Sequence, residues 1–367
     1  MLRAPNAAVR QNDFTRRDFG RIHPSNSIML AKRGHRRLPY RHTECDPTIW
    51  GAFSGHWEPI SKSLGIMLEA EARKVNKAID FRTAIRRRIS VRHYQRKAVP
   101  DNILEHVMAS AGDSVALDDT IHVRFHLVNQ GVLIASRLTL LTGTRILFGS
   151  APHFIVATSE EKPLFMLNMG FRMEQMILCA TQSGLGTCWI GGMFKEKRIS
   201  DFMGLEKSER IVALTPIGYP DTTIMGRLAH DAIELGAMKF GRRKALREIA
   251  FDATWETPLQ SADSELLEAL GCARLAPSWA NTQPWRFLAC QNEVIAVAQA
   301  KRRYGNIRQG KHYYCLDVGI AMAHFFLSAR EMGWNGRWDV TGFDAARVAM
   351  EHGVPEGYEV LAIYRKT

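Results

Sequence analysis

The sequence predicts an α+β protein made of two copies of one helix–strand–helix–strand unit, with mixed or antiparallel sheets flanked by helices. Residues 167–189 and 316–338 repeat one another at an offset of 149, with Leu167/Leu316, Gly170/Gly319, Met173/Met322, Leu178/Leu327, Ala180/Ala329, Gly184/Gly333 and Trp189/Trp338 identical. Apolar residues recur at helical spacing ahead of a short strand in each half. Arg124-Phe125, at the first of those strands, returns as Arg286-Phe287 at an offset of 162.

The elements follow in order. In the first copy, Ile103, Leu104, Val107 and Met108 make a helix face after Pro100. Strands are expected at 123–128, 154–157 and 211–217, with a long buried helix starting at Leu167. In the second copy, Asp263 is a good N-cap for a helix carrying Leu266, Leu267 and Leu270. A strand at 285–290, a second long helix from Leu316 and a closing strand at 358–364 complete it. Gly184 and Gly333 fall where a left-handed helix cap needs glycine. The copies are expected to span 78–240 and 241–367, behind a leader of residues 1–77.

The 367 residues hold six cysteines, Cys45, Cys179, Cys188, Cys272, Cys290 and Cys315, with no CxxC pair. They read as reduced core residues, neither a disulfide framework nor a zinc site. No apolar run approaches a membrane span, so the expectation is a soluble, cytoplasmic protein. The net charge of +12 resembles a nucleic-acid signal until it is located. Residues 1–100 hold 21 Lys/Arg and 8 Asp/Glu, whereas the remainder hold 28 and 29. The body is therefore near neutral, and no specific nucleic-acid partner is expected.

The leader is Arg- and His-rich, broken by Pro24, Pro39, Pro47 and Pro59, and is expected to be mostly disordered. Arg16-Arg17 faintly resembles a twin-arginine export signal, but no apolar segment follows. An over-extended translation start, with Met67 as the true one, is the plainer reading.

Residues 276–287, Ala-Pro-Ser-Trp-Ala-Asn-Thr-Gln-Pro-Trp-Arg-Phe, place turn formers and amide side chains between an apolar helix and an apolar strand. Such groups can hydrogen-bond and cover a flat heteroaromatic ring. Arg88, Ser90 and Arg92 lie two apart, so an extended backbone would direct all three to one anion. Gly184-Leu185-Gly186-Thr187-Cys188-Trp189-Ile190-Gly191-Gly192 is no dinucleotide fingerprint, because its third glycine is misplaced and no strand precedes it. Its glycines would let backbone N–H groups approach a ring. Gly241-Arg242-Arg243-Lys244-Ala245-Leu246 adds a further basic segment.

Together, in this order, these segments resemble the flavin-contacting motifs of the nitroreductase family, in its fused two-repeat form. The resemblance covers residues 79–367 and implies FMN as cofactor. By it, Arg88, Ser90, Arg92 and Arg243 bind the cofactor from the phosphate side, with Arg92 reaching toward the pyrimidine edge. Trp189, Ile190, Gly191 and Gly192 lie beside the ring, and Pro277, Ser278, Asn281 and Gln283 contact it. Ala245 stands where the family's RKPLEE segment has proline, which leaves the register there open by one residue.

Ordinary members resemble swapped homodimers, with each flavin at the interface. At the offset of 162, Pro277, Ser278, Asn281 and Gln283 align with Val115, Ala116, Asp119 and Ile121, so copy one lacks the ring-contacting loop. In reverse, Arg88, Ser90 and Arg92 align with Ala250, Asp252 and Thr254, so copy two lacks the phosphate grip. The losses are complementary. The expectation is one FMN per chain in a monomer acting as a pseudo-dimer.

The resemblance further implies hydride transfer from NADH or NADPH to the flavin, and then two electrons to a small flat acceptor such as a nitroaromatic or quinone. No catalytic side chain and no metal site is nominated. Other readings stay open: a flavin-binding protein without turnover, its acceptor pocket closed by side chains such as Trp279, or a different reductive reaction on the same scaffold. A polyanion-binding protein that depends on residues 1–77 is a third.

Overall fold

A computed structural model of the chain describes residues 79–366 other than 139–147, 149, 193, 224–241, 301–306 and 309–310. The expected leader, the expected boundary at 240/241 and Gly241 lie outside the described residues.

Helix α1 (Phe81–Arg87) starts at Asp80, whose carboxylate accepts the Thr83 N–H at 2.6 Å. Its first two N–H groups are satisfied from far along the chain: Glu331 accepts from Phe81 at 2.5 Å and from Arg82 at 3.1 Å. Helix α2 (Asp101–Gly112) follows Pro100 and buries Leu104, Val107 and Ala111. Strand β1 (Val123–Val128), the short α3 (Gly131–Ala135) and β2 (His153–Ser159) lead to the long α4 (Phe165–Gln182). Then come β3 (Gly186–Thr187), α5 (Glu196–Met203) and β4 (Arg210–Gly218).

The remainder repeats that order. Strand β5 (Ala250–Asp252) precedes α6 (Ser264–Arg274), where Asp263 caps the N–H groups of Glu265 and Leu266 as its position predicts. Strands β6 (Trp285–Ala289) and β7 (Glu293–Gln299) follow, and a small hairpin of β8 (Ile307–Arg308) with β9 (Lys311–His312) leads into α7 (Tyr313–Glu331). Strand β10 (Gly336–Asp339), α8 (Ala345–Glu351) and β11 (Tyr358–Lys366) close the chain.

The first sheet has the order β1-β2-β4-β3 and is antiparallel throughout. The second has the order β10-β11-β7-β6-β5, antiparallel except for the parallel pair β5/β6. Strands β6, β7, β11 and β10 thus hold, in order, the places of β1, β2, β4 and β3. This is the α+β class with helix-flanked antiparallel and mixed sheets. Ten elements go beyond the sequence reading: α1, α3, β3, α5, β5, β7, β8, β9, β10 and α8. In β7, Val294–Ala298 is buried on both faces, so it lacks the alternation that marks a half-exposed strand.

Helices α4 and α7 pack on each other through their most buried residues. A Cβ added to Gly170 would lie 2.2 Å from the Leu316 carbonyl oxygen, and one added to Gly319 would lie 2.2 Å from that of Leu167. Gly170 and Gly319 are repeat partners, as are Leu167 and Leu316, so the contact is reciprocal, as across a two-fold axis. Both helices end as predicted on left-handed glycines, Gly184 at φ 74° and Gly333 at φ 87°. The second half also reaches into the first: Lys311, 1% exposed, donates to Glu196 at 2.9 Å and to the Ile211 carbonyl.

Candidate functional site

The helix α1 ends because Arg88 turns extended, at φ −60° and ψ 122°. The chain then runs beside β3: Ser90 forms a parallel bridge with Thr187, and the Val91 N–H donates to the Thr187 carbonyl at 2.8 Å. Arg88 and Val91 are buried, Ser90 is half-buried and Ile89 is exposed. Arg92 donates to the Ser90 carbonyl at 3.1 Å. Arg88, Ser90 and Arg92 all act on the Cys188 thiol, whose pKa burial nonetheless pushes up. The sequence alignment of 88–92 with 250–254 does not carry into strand pairing. Residues 250–252 form β5 and pair with β6, whereas Ser90 bridges Thr187, so the two segments take different partners.

Arg88 is the most unusual cation of the structure. Its side chain is 5% exposed, yet Nε and Nη1 have no hydrogen-bond partner. Its one ion-pair contact among the described residues is Glu174 Oε1, 3.8 Å from Nε, too long for a hydrogen bond. Buried donors are normally satisfied, so an orphaned guanidinium marks a place for an external acceptor. Arg243 joins it from far along the chain. Burial lowers the Arg243 pKa to about 10, and the like charges of Arg88 and Arg274 act in the same direction. Arg243 is held by the carbonyls of Arg274, at 3.1 Å, and Ala276. Three arginines with one carboxylate between them suit a phosphate dianion. Arg274, which donates to the Lys244 carbonyl at 3.3 Å, was not singled out in the sequence.

The loop from Ala276 to Gln283 begins at that arginine pair. Pro277 and Ser278 are half-buried, and the Ser278 hydroxyl accepts the Gln283 N–H at 2.9 Å. Ala280, Asn281 and Gln283 all have left-handed backbones, at φ 47°, 53° and 47°. For a non-glycine residue that conformation costs roughly 1–2 kcal/mol, with Asn the most tolerant. Strain of this kind persists only where surroundings impose it. The Gln283 amide is turned inward, accepting from Lys244 N at 2.8 Å and donating to the carbonyls of Arg242 at 3.2 Å and Asn281 at 3.1 Å. It therefore ties the loop to the 242–244 segment. Lys244 reinforces the tie by donating to the carbonyls of Gln283 and Thr282, at 3.0 and 3.3 Å. Burial, with Arg286 nearby, lowers its pKa to about 8. Trp279 remains 41% exposed.

Asp317, on the first turns of α7, fixes the loop from beneath by accepting the Trp279 N–H at 3.1 Å. Burial raises its carboxyl pKa well above the usual range, against the pull of that N–H. The repeat supplies a counterpart: Asn168 accepts from the N–H groups of Leu117 at 2.9 Å and Asp118 at 3.4 Å. Asn168 and Asp317 are partners at the offset of 149, and Leu117 and Trp279 at 162. One latch is thus built twice, with an amide in one half and a carboxyl in the other.

Trp189–Gly192 lies between these parts. Ile190 is buried and exchanges backbone hydrogen bonds with Leu214, both at 2.9 Å. A Cβ at Gly191 would lie 2.9 Å from the Tyr313 ring, so packing against α7 is one reason for glycine there. Gly192 is half-buried. Trp189 donates its Nε1–H to Glu174 Oε2 at 2.6 Å, and Glu174 Oε1 meets His324 Nε2 at 2.8 Å. Glu174 and His324 are both 0% exposed. The sequence signal for Glu174, His324 and Asp317 was a polar residue inside an apolar helix. Their partners, many tens of residues away, leave no local trace.

The structure therefore gathers Arg88, Arg243, Trp189 and the Ala276–Gln283 loop around one centre, with Ser90 and Arg92 beside Cys188. At the degenerate counterpart, Ser114 accepts from Arg172 Nε at 3.0 Å and Ile121 is buried. Among the described residues there is no group of three His, Cys, Asp or Glu side chains fit to hold a metal, and no helix long and apolar enough to cross a membrane.

Comparison with known proteins adds a family. The family model described as "Putative TM nitroreductase" matches residues 80–329, more than half of the chain. No curated protein matches the sequence. Among solved structures, a Thermotoga maritima protein described as a nitroreductase is 18% identical, covering 79% of this chain and 94% of its own, with a TM-score of 0.48. A nitroreductase family protein of Clostridium novyi is 25% identical over 39% of this chain and 87% of its own, with a TM-score of 0.36. A Bacteroides fragilis nitroreductase with bound FMN is 19% identical over 39% and 89%, with a TM-score of 0.34.

Proposed function

Given that the chain belongs to the nitroreductase family, we propose that it is an FMN-dependent oxidoreductase that passes two electrons from NADH or NADPH to a small flat electrophile, such as a nitroaromatic or quinone. Donor and acceptor would take turns at one face of a single composite site. The observation that carries this reading is Arg88: a guanidinium 95% buried by its surroundings, with two unpartnered nitrogens, beside Arg243 and the loop at Ala276. An anion-bearing ligand supplies what that group lacks.

FMN, when bound, supplies the two-electron redox chemistry. The chain's own residues hold and enclose it. Arg88 and Arg243 would take the phosphate, with Arg274 adding positive charge. Ser90 and Arg92 would extend the grip from the β3 side. Trp189–Gly192 and the Pro277–Gln283 loop would flank the ring from opposite halves of the chain. Asp317 and Gln283 hold that loop in its strained form, so that little reorganisation accompanies binding. Trp279, exposed on the loop, would cover the acceptor and exclude water. Protons for the reduced acceptor would come from solvent.

The fold correspondence between the halves supports a duplicated ancestor with one surviving site. Titration of purified chain with FMN tests the proposal. Saturable quenching of flavin fluorescence, followed by bleaching of the bound flavin on adding NADH or NADPH, is the result expected. A chain that binds FMN but is not reduced by either nucleotide would overturn the oxidoreductase reading.

A further inference from the structure

We propose that His324 sets the charge of the anion site: by holding a proton against Glu174, it keeps that carboxylate from neutralising Arg88, which stays available to a phosphate dianion. This rests on the function proposed above and assigns a positioning role to two residues outside the family's motifs.

The hydrogen bonds fix the proton count. His324 Nδ1 faces the Cys272 carbonyl at 3.1 Å, and a carbonyl only accepts, so Nδ1 carries a hydrogen. A neutral ring would then turn a bare Nε2 toward Glu174 Oε1. Two acceptors do not sit 2.8 Å apart in a site with no solvent exposure, so one proton lies between them. Wherever that proton rests, the Glu174–His324 pair carries no net charge. The other carboxylate oxygen accepts from Trp189 at 2.6 Å, which orients the group.

The consequence falls on Arg88. Its Nε is 3.8 Å from Glu174 Oε1, outside hydrogen-bond range, and its Nε and Nη1 have no hydrogen-bond partner. Arg243 and Arg274 add charge of the same sign. Without the proton on the pair, Glu174 would be a full buried counter-ion for Arg88 and would compete with an incoming phosphate. With it, the positive charge of the cluster is left for the ligand.

The repeat supplies an internal control. The partner of Glu174 in the other half is Ala323, and the partner of His324 is Gln175. Gln175 uses its amide on the backbone of Val115 and Phe171 instead, at 2.8 to 3.0 Å. The carboxyl–imidazole pair is therefore built once, on the side that holds Arg88.

The test compares FMN with riboflavin, which lacks the phosphate, by fluorescence titration of the full chain. His324→Gln leaves Glu174 ionised, and FMN affinity should fall about tenfold or more while riboflavin affinity changes little. Glu174→Gln should bind FMN at least as tightly as the wild type, and the double variant should recover what His324→Gln lost. Equal loss of both flavins in His324→Gln, no loss of FMN, or no recovery in the double variant overturns the proposal. If His324→Gln does not fold, the Glu174→Gln arm decides alone, since a tenfold loss of FMN there would show that the carboxylate serves Arg88 rather than competing for it. A wild-type chain that binds neither flavin overturns the proposed function, and this inference with it. One that binds FMN alongside any of the contrary variant results overturns this inference only.

Discussion

Arg88 is buried with two idle donors, and that local fact generates the strongest single-residue prediction. Charge-assisted hydrogen bonds contribute about 1.5–3 kcal/mol each, so Arg88→Ala should weaken FMN binding by about tenfold to a hundredfold. The same variant should leave the melting temperature equal or higher, because it removes a buried charge without a hydrogen-bonded partner. A lower melting temperature with unchanged FMN affinity would make Arg88 a structural residue.

Asp317 gives the second residue-scale prediction. Its counterpart Asn168 performs the same latch with an amide. Asp317→Asn should therefore keep the Trp279 loop in place, at equal or greater stability, whereas Asp317→Ala leaves the Trp279 N–H without its acceptor. Equal damage from both substitutions, read by thermal unfolding and flavin affinity, would contradict the latch. Lys244 predicts a pH effect. It titrates at about 8 in the fold against 10.5 for the free side chain. Between those values the unfolded chain binds more protons than the folded one, so stability rises with pH across that window. Below about 8 the amine is protonated in both states and the burial cost stands in full. The stability of wild type relative to Lys244→Gln, measured by urea unfolding, should rise from pH 8 to pH 10. A flat difference would contradict the assignment.

At the scale of elements, the two long helices depend on Gly170 and Gly319. Each would place a Cβ 2.2 Å from a backbone carbonyl of the other helix, and a backbone cannot give way as a flexible side chain can. Gly170→Ala and Gly319→Ala should each destabilise by roughly 1–3 kcal/mol, the range for overpacking a close contact. A melting temperature unchanged in both would mean the helices are not held at this distance. Helices and repeat partners of this kind were legible in the sequence. The 167–189 and 316–338 segments, the Asp263 cap and the Gly184 and Gly333 caps all carry local signals. Strand β7 did not, because its apolar run is buried on both faces. The different partners of residues 88–92 and 250–252 were not legible either, since an offset aligns residues but does not choose strand neighbours.

For the whole molecule, the sequence indicated which segments to watch, and the structure shows what they meet. Arg88 and Arg243 lie far apart in the sequence, and Arg243 is bonded at Ala276, where the Trp279 loop begins. Glu174 and His324 link the two repeats through side chains whose sequence separation is 150. Contacts of that range carry no periodicity and no spacing, so only the folded chain displays them. The net charge of +12 is carried by the first hundred residues, and of these cations Arg88 and Arg92 belong to this centre.

The central claim is that one composite site survives per chain, assembled from both halves. It is tested most directly by stoichiometric titration of purified chain with FMN, with chain concentration fixed by amino-acid analysis and molecular mass by light scattering. The account predicts one FMN per chain, on a species with the mass of a single chain, and loss of that binding in Arg88→Ala. Two FMN per chain, or none, would contradict it.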